Sequence, residues 1–494
     1  MEYYSSRTVF DPIVTPLAYP LVGTGCPPGP TNPTGDTKAP QTFEPWEIAL
    51  TDAGNADRFT DQHCANARYC TELRSWFLWT GQHWEEDRSE QIIQLGELTA
   101  KSIFGEAKAI ERGDRRNKLE SWALRSCNRH GINNMLHQAQ PKMALLSSQL
   151  DQDRCLLNCA NGTLDLKTGQ LRTHRREDWI TKLVPVSYEE GARCDQFLSF
   201  LDRITDGDKE LETYLQRALG YSLTGRMDEQ CWFIAYGSGA NGKSTLLNLF
   251  GKLLGDYSRN AAVHTFVQKK FEGGAREDLV RLRGARFVTI MEAEENQKLA
   301  ASLLKQITGG DAVTARDLYK GSIEFDAQMK PWLATNHKPK LEGSDAAIWR
   351  RVKLIPFNVV VPENERDPEL PSKLWREAPG ILAWAVRGAL DWQATGLKAP
   401  EAVNKATDSY RSEMDDVRRF VDQCLEMKPE GTVSKKFMFD MYQKWARDSE
   451  INILSKVELT RRLKAAGLVD GKSNNERLWK GVSIFYDQLQ FGRD

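Results

Sequence analysis

One glycine-rich segment limits what this chain can fold into more than any other feature. Residues 237–244 read GSGANGKS, after the apolar run 232–235 and before the largely apolar run 245–250. A strand, a glycine-rich loop and a helix in this order place backbone N–H groups around phosphate oxygens at the helix N-terminus. The sequence therefore predicts a phosphate-binding loop inside an α/β domain.

The residue types in this loop predict ATP with Mg²⁺. Lys243 is placed to reach the β- and γ-phosphates, and the hydroxyl of Ser244 can hold the metal ion. A glycine-rich turn that binds no nucleotide is the alternative, and the flanking strand and helix argue against it. The predicted nucleotide contacts are Gly237, Ser238, Gly239, Ala240, Asn241, Gly242, Lys243, Ser244 and Thr245.

A second strand-like run, 287–291, leads into a group of acidic residues. Glu292 directly follows the run and is predicted to anchor the hydrated Mg²⁺, while either Glu294 or Glu295 would polarise the attacking water. An acidic cluster seen alone is more often a solvated loop. Its position after an apolar strand, downstream of the phosphate loop, favours the catalytic interpretation.

A third strand-like run, 331–335, delivers Asn336 to a strand end, where an amide could contact the γ-phosphate or orient water. Arg350 and Arg351 follow fourteen and fifteen positions later. Adjacent arginines are usually surface charge. In an oligomeric motor, one of them would instead reach the phosphates of the neighbouring subunit and stabilise the transition state. The sequence leaves open which of the two does so.

Five segments, in chain order, resemble the superfamily III helicase domain of phage and plasmid primase-helicases: GSGANGKST, EAEE, LLKQITGGDAVTARDLYK, WLATNHKP and IWRRVKLIPF. Poxvirus replicative helicases are more distant relatives of the same kind. The segments LTDAGNADRF, LNCANGTLDLKTG and YLQRALGYSLTG extend the resemblance over about residues 50–360. It implies an AAA+-like P-loop motor, a hexameric ring with ATP sites shared between subunits, and 3′-to-5′ movement on single-stranded or forked DNA.

The same resemblance indicates where DNA would bind. In relatives, the DNA-gripping element lies between the acidic motif and the Asn-bearing strand. Here, alternation on both sides of Lys320-Gly321-Ser322 predicts a β-hairpin with a basic tip. A lysine that only solubilises a turn is the alternative. The predicted DNA contacts are Lys320, Arg316, Lys269 and Lys270.

Composition and apolar periodicity along the chain predict five segments. They are a Pro-rich mobile arm (1–45), a mixed α+β N-terminal domain (46–195), a helical lead-in (196–228), the ATPase domain (229–400) and a C-terminal winged-helix-like domain (401–494). The winged-helix-like domain is predicted from a helix around Met441, a helix over 456–466 and a strand pair over 477–486. The arm is too short for the primase-polymerase domain of many relatives, so primer synthesis is not expected.

Two basic helical regions are further candidates for DNA contact. One runs from Arg112 to Arg129, where interleaved acids make a solvated helix face an equal alternative. The other carries Arg461 and Arg462 in the C-terminal segment. With 68 acidic and 67 basic residues, the chain has no overall basic excess, so any DNA site must be local.

These patterns predict an ATP-driven, ring-forming DNA helicase of phage, plasmid or satellite replication. The alternatives are an ATP-dependent initiator that binds an origin, and a DNA translocase that does not unwind. The expected partners are DNA, other copies of the chain and a separate primase or initiator. No apolar run approaches the ~20 residues of a membrane span, so we expect a cytoplasmic protein.

Overall fold

The structure is a computed structural model that describes residues 48–268, 276–291, 297–316, 322–341, 346–449, 451–473 and 476–485. The chain divides into two compact units. The first contains the described residues up to Thr80 together with Trp84–Leu150, and the second contains Gly81–His83 and the described residues from Asp151 onward. The five segments proposed from sequence texture stay predictions.

The first unit combines helices with a small mixed sheet, as predicted for this region. Its strand order is β3-β2-β1-β4, in which β1 runs antiparallel to β2 and parallel to β4. Strands β2 and β3 form an aromatic hairpin, in which Trp79 pairs with Trp84. The elements are α1 Asp52–His63, β1 Ala67–Cys70, β2 Ser75–Trp79, β3 Trp84–Glu86, α2 Gln91–Ala109, α3 Asp114–Ser126, α4 Arg129–Ala139 and β4 Ala144–Leu145.

Helix starts in this unit follow local capping chemistry. The Thr51 hydroxyl accepts a hydrogen bond from the Gly54 N–H at the start of α1, and the Asn128 side chain accepts one from the Gly131 N–H at the start of α4. Apolar residues at helical spacing then pack the elements together. Leu119 and Ala123 of α3 are buried in one cluster with Ile103 of α2.

The second unit begins with a three-stranded antiparallel sheet and two helices. The order of the sheet is β5-β6-β7, and the Thr168-Gly169 turn lies between β6 and β7. The two predicted lead-in helices are also present as α5 and α6. The bounds are β5 Leu156–Cys159, β6 Gly162–Asp165, β7 Gln170–Arg172, α5 Asp195–Ile204 and α6 Lys209–Leu223.

A five-stranded parallel sheet forms the centre of this unit, as the alternation of apolar runs and helices predicted. Its order is β16-β8-β14-β10-β9, so the three strands read from the motifs are neighbours. Strands β11 and β15 form a separate two-stranded sheet, and so do β12 and β13. The elements of this region are β8 Trp232–Tyr236, α7 Lys243–Leu254, β9 Ser258–Ala261, α8 Glu277–Val280, β10 Phe287–Met291, β11 Lys298–Leu299, α9 Ala301–Gly309, β12 Ala312–Arg316, β13 Ser322–Asp326, β14 Lys330–Thr335, β15 Lys340–Leu341, α10 Ala346–Trp349 and β16 Val352–Pro356.

The chain then returns to helices, α11 Leu370–Arg376, α12 Ala378–Thr395 and α13 Glu401–Glu413. Helix α12 packs closely on α6 because a glycine of each helix lies against the backbone of the other. A Cβ at Gly220 would lie 2.2 Å from the Ala389 nitrogen, and one at Gly388 would lie 2.1 Å from the Gln216 carbonyl oxygen. This contact places α6 under the sheet, in the same buried cluster as Phe233 and Trp332.

The C-terminal segment has its own buried cluster, centred on Phe420, Tyr442 and Trp479. Its elements are α14 Asp416–Cys424, β17 Leu425–Ser434, α15 Lys435–Asp448, α16 Lys456–Ala465, β18 Val469–Ser473 and β19 Glu476–Ile484. The two helices occur where the sequence predicts them. The strand pair predicted within 477–486 is wrong, because that stretch is one strand whose partners are β17 and β18.

Candidate functional site

The loop over residues 237–242, here called the glycine loop, joins the carboxyl end of β8 to the first residue of α7. Its backbone is left-handed at Gly239 (φ 111°), Ala240 (φ 48°) and Gly242 (φ 76°). Successive turns of this kind direct backbone N–H groups toward one side, which makes a concave anion site. The loop therefore has the backbone form that its sequence predicts.

Two positions in the loop require glycine, because neighbouring atoms lie too close to leave room for a Cβ. A Cβ at Gly237 would lie 2.2 Å from the Phe357 carbonyl oxygen. A Cβ at Gly242 would lie 2.5 Å from Cγ2 of Ile204, on helix α5. Helix α5 thus packs directly against the point where the loop becomes helix α7, so the predicted lead-in helix supports the loop.

Lys243 is the centre of a hydrogen-bonded group. It is 4% exposed, and its Nζ donates to the Gly237 carbonyl oxygen at 2.8 Å and to Oδ1 of Asn241 at 2.7 Å. A third bond, at 3.1 Å, joins it to Oδ1 of Asn336. Removal from water lowers the pKa of Lys243 to about 8. No carboxylate hydrogen-bonds to it among the described residues, so its charge is available to an anionic ligand.

Asn336 reaches this group because β14 is the sheet neighbour of β8 and ends at the same edge. Thr335 pairs with Tyr236 across the two strands, so the residues that follow them emerge side by side. The Thr335 hydroxyl donates to the His337 carbonyl oxygen at 2.6 Å and fixes the turn that carries Asn336. The structure therefore brings together Lys243 and Asn336, which the sequence predicted separately.

Arg350 and Arg351 lie at the amino ends of the strands, opposite the carboxyl ends that carry the glycine loop and Asn336. They precede β16, whose first residue Val352 pairs with Trp232 at the start of β8. A five-residue strand spans about 13 Å from first to last residue. In one copy of the chain, Arg350 and Arg351 are thus separated from the glycine loop by the length of a strand.

The two arginines also differ from each other. Arg351 is 9% exposed, and its guanidinium donates to Oε1 of Gln230 at 3.2 Å and to the Thr308 hydroxyl at 3.4 Å. Burial and the neighbouring charge of Arg350 lower the pKa of Arg351. Arg350, by contrast, is exposed. Arg351 is held inside its own subunit, and Arg350 is the one that faces outward.

Several predicted site residues lie outside the described residues: Glu292, Glu294, Glu295, Lys269, Lys270 and Lys320. Their surroundings are only partly described. Met291, the residue before Glu292, ends β10 beside Ala334 of β14. The predicted hairpin is confirmed in its strands, since β12 and β13 pair antiparallel with Arg316 opposite Ser322.

Sequence reasoning missed two features of the site. The Asn241 side chain accepts from Lys243 and donates to the Phe357 carbonyl oxygen at 3.1 Å, so it ties the lysine to the end of β16. At the opposite edge, Lys330 is fully buried without a carboxylate bonded to it among the described residues, and burial lowers its pKa well below the usual range. In the sequence, the only sign of this buried lysine is that it begins an otherwise apolar strand.

Comparison with known proteins adds a family to this geometry. Residues 56–206 match the family described as D5 N terminal like, and residues 235–351 match a family of unknown function, DUF5906. The chain is 27% identical over 390 residues to "Putative helicase L207/L206" of Acanthamoeba polyphaga mimivirus, covering 72% of this chain and 40% of that protein. It is 23% identical over 379 residues to "Putative primase C962R" of African swine fever virus (isolate Tick/Malawi/Lil 20-1/1983), covering 69% and 39%.

The D5 N terminal like match and the viral relatives relate the chain to the D5-like primase-helicases. This D5-like chain spans about 40% of the length of the two curated relatives just described. "Putative helicase 022R" of Frog virus 3 is 27% identical over 271 residues, which cover 51% of this chain and 28% of that protein. Among solved structures, the apo structure of the NrS-1 C terminal region (305-718) gives a TM-score of 0.48 at 10% identity, covering 84% of this chain and 96% of that one.

No helix within the described ranges combines the length and the apolar content needed to cross a bilayer.

Proposed function

We propose that this D5-like chain is an ATP-dependent DNA helicase that works as a ring of identical subunits. The observation that carries the proposal is the position of Lys243. It lies at the first residue of a helix, behind a left-handed glycine loop, and its Nζ is 3.1 Å from the amide oxygen of Asn336 on the neighbouring strand. The names of the viral relatives support an enzyme that acts on nucleic acid.

The residues of the glycine loop fit a triphosphate with its metal ion. The loop leaves no room for a Cβ at Gly237 or Gly242, and Ser244 is exposed beside the loop on the first turn of α7. Gly237–Thr245 would hold the phosphates, with Ser244 and Glu292 on Mg²⁺ and either Glu294 or Glu295 as the base. Bound ATP supplies the phosphoryl group whose hydrolysis powers movement.

Lys243 and Asn336 have distinct tasks in this proposal. The Lys243 ammonium exchanges its three protein acceptors for phosphate oxygens, since an ionic acceptor binds it more strongly than carbonyl and amide oxygens do. Asn336 is then released from Lys243, and its amide can orient water or contact the terminal phosphate. The strand end that carries Asn336 would thereby sense whether nucleotide is present.

In this proposal, Arg350 is the arginine that reaches the phosphates bound to the neighbouring subunit. It is exposed, while Arg351 bonds to Gln230 and Thr308 of its own subunit. Arg350 also lies a strand's length from the glycine loop of its own chain, so it can serve only the site of a neighbour. A ring in which each interface contains one glycine loop and one Arg350 satisfies both facts, and six copies is the expected number.

DNA would pass along the hairpin formed by β12 and β13. The base of the hairpin is anchored because Val313, Ala315 and Phe325 are buried in the core beside the sheet. Arg316, at the end of β12, and Lys320, in the sequence that joins the two strands, would contact the DNA, and Lys269 and Lys270 are further candidates. A basic hairpin tip repeated around a ring would track the phosphates of one strand.

The C-terminal segment favours a second candidate function, an origin-binding initiator that hydrolyses ATP without unwinding. Its order is helix, strand, helix, helix, hairpin, with a three-stranded sheet β17-β19-β18, which is a winged-helix-like arrangement. The basic residues on α16 are already partnered within the chain, since Arg461 and Arg462 both pair with Glu458. We therefore rank this candidate second.

Strand displacement separates the two candidates. The full chain is incubated with a forked duplex carrying a 3′ or a 5′ tail, with ATP or with a non-hydrolysable analogue. A helicase displaces strand only with ATP and prefers the fork whose 3′ tail it can enter. Hydrolysis without displacement on either fork, together with binding to one DNA sequence over others, would favour the initiator.

A further inference from the structure

A groove of about 470 Å³ lies along helix α3 in the first unit, which has no part in the Lys243 site. Its lining includes Leu50, Asp114, Lys118, Ser121, Trp122 and Arg125. The other named α3 members are spaced four, seven, eight and eleven residues from Asp114, so they share one face of the helix. The opposite face, with Leu119 and Ala123, is buried.

Trp122 is fixed in this groove before any ligand arrives. Its indole Nε1 donates to Oδ1 of Asn55 at 3.0 Å, and Nδ2 of Asn55 donates to the Ser126 hydroxyl at 2.8 Å. Asn55 is 1% exposed, so this anchor is internal. Because the only donor of the indole is already used, the half-buried ring offers a ligand its π face, which stacks on flat groups without reading their hydrogen-bond pattern.

One cation, Arg125, lies over the Trp122 ring, and a second, Lys118, lines the groove nearby. The Arg125 guanidinium carbon is 5.6 Å from the centroid of the Trp122 ring, and Lys118 lies one helical turn before it on the same face. Asp114 is about three turns from Arg125, at the start of the helix. Residues 111–129 carry six basic and three acidic side chains, in a chain whose net charge is −1. The groove is thus a local basic site with a fixed aromatic face.

We infer that this groove binds single-stranded DNA, with a base stacked on Trp122 and the adjoining phosphates on Lys118 and Arg125. A fixed aromatic plane flanked by cations is the combination that recognises an unpaired nucleotide without sequence preference. A duplex does not expose base faces, and an acidic protein segment would use the cations but not the ring. The choice of DNA rests on the proposed function, and it adds a second contact for the strand, outside the motor.

The test is binding of fluorescein-labelled oligo(dT) to the full chain by anisotropy, without ATP, over a series of KCl concentrations. Trp122→Ala should weaken binding about 5- to 150-fold, the range for loss of one stacked base. Lys118→Ala with Arg125→Ala should reduce the log-log salt slope by about 1.4, since each phosphate contact on a single strand contributes ~0.7. Trp122→Phe keeps an aromatic face and should retain most of the affinity.

Arg116→Ala is the matched control. It removes the same charge from the same helix, but Arg116 pairs with Glu120 at 2.9 Å and does not line the groove. It should leave both affinity and salt slope unchanged. If Trp122→Ala unfolds the unit, cross-linking of the wild-type chain to oligo(dT) carrying 5-iododeoxyuridine replaces it, and the cross-link should map to a peptide containing Trp122.

Three outcomes would overturn the inference: Trp122→Ala and the charge variant both behave like Arg116→Ala, cross-links map only outside α3, or polyglutamate competes with the oligonucleotide in a way that Trp122→Ala does not affect. The last would identify a site for acidic protein segments. Failure of this inference is distinguishable from failure of the helicase proposal. A wild-type chain that hydrolyses ATP and unwinds forks keeps the helicase even if the groove variants bind normally.

Discussion

Lys243 carries the chemistry of the proposed site, and its charge is within reach of an ordinary pH titration. Burial lowers its pKa to about 8, so the free protein holds the ammonium form below pH 8 and loses it above. Phosphate binds the ammonium form, which raises the pKa of Lys243 in the complex. Binding is therefore linked to proton uptake, and affinity must fall as pH rises through the pKa of the free protein.

The expected result is a constant affinity for a non-hydrolysable ATP analogue below pH 8 and a fall approaching tenfold per pH unit above it. Phosphate ionisation is complete in that range, because the second phosphate pKa is about 6. Calorimetric titration at pH 7, 8 and 9 measures it. Lys243→Arg is the control, because a guanidinium stays charged throughout. Equal pH slopes in the two proteins would contradict the assignment.

For single residues, the sequence predicts which residues form the site better than it predicts which atoms they contact. The glycine spacing identified the loop and Lys243, because the backbone conformation there requires particular residue types. The bond from Asn241 to the Phe357 carbonyl spans 116 positions, and no local pattern encodes it. Nor could the sequence separate Arg350 from Arg351, since their difference lies in the burial that distant Gln230 and Thr308 create.

Among the elements, the amino edge of the parallel sheet is joined to helix α6 by two buried cations. Nη1 of Arg286, at the start of β10, donates to the Leu223 carbonyl oxygen at 2.8 Å. Nζ of Lys330, at the start of β14, donates to the carbonyl oxygens of Thr224 and Gln328 and lies 4.5 Å from the Tyr221 ring centroid.

Because burial lowers the pKa of Lys330 well below 10.5, the folded chain binds fewer protons than the unfolded chain as pH rises toward 10.5. Its contribution to stability is therefore gained with rising pH and lost as pH falls through the folded pKa. We expect the free energy of unfolding of wild type relative to Lys330→Met to rise with pH as the pH approaches 10.5, by up to about 1.4 kcal/mol per pH unit. Urea unfolding measures it, and a pH-independent difference would contradict it.

The elements themselves were largely predictable, for reasons particular to each. Strands β8, β10 and β14 are continuous apolar runs, as expected of strands buried on both faces. Strand β18, with the sequence VDGKS, has no apolar alternation, so the terminal pair was placed one strand too late. Ser473 pairs with Glu476 across β18 and β19. The sequence between them is two asparagines, a residue type that favours turns. The sheet order depends on long-range pairing, which local patterns do not encode.

For the whole molecule, the proposal requires ATP sites shared between subunits. Arg350→Ala and Lys243→Ala proteins should each hydrolyse ATP poorly. In a mixture, some interfaces join an intact glycine loop to an intact Arg350, so hydrolysis should recover in part. Arg351→Ala is the comparison, because loss of its bonds to Gln230 and Thr308 should lower the melting temperature. If no mixture regains activity, or if Arg350→Ala hydrolyses ATP normally, the shared site is wrong.

The most direct test of the account is the ATPase rate of Lys243→Ala measured beside its thermal melting curve. We expect hydrolysis to fall about 100-fold or more, which is the usual effect of removing one group that stabilises the transition state, with a cooperative melting transition close to that of wild type. Lys252→Ala, a lysine variant on the same helix that contacts the Trp375 ring instead of the loop, should keep normal turnover. Near-normal hydrolysis by folded Lys243→Ala would contradict the assignment of the glycine loop and the helicase proposal built on it.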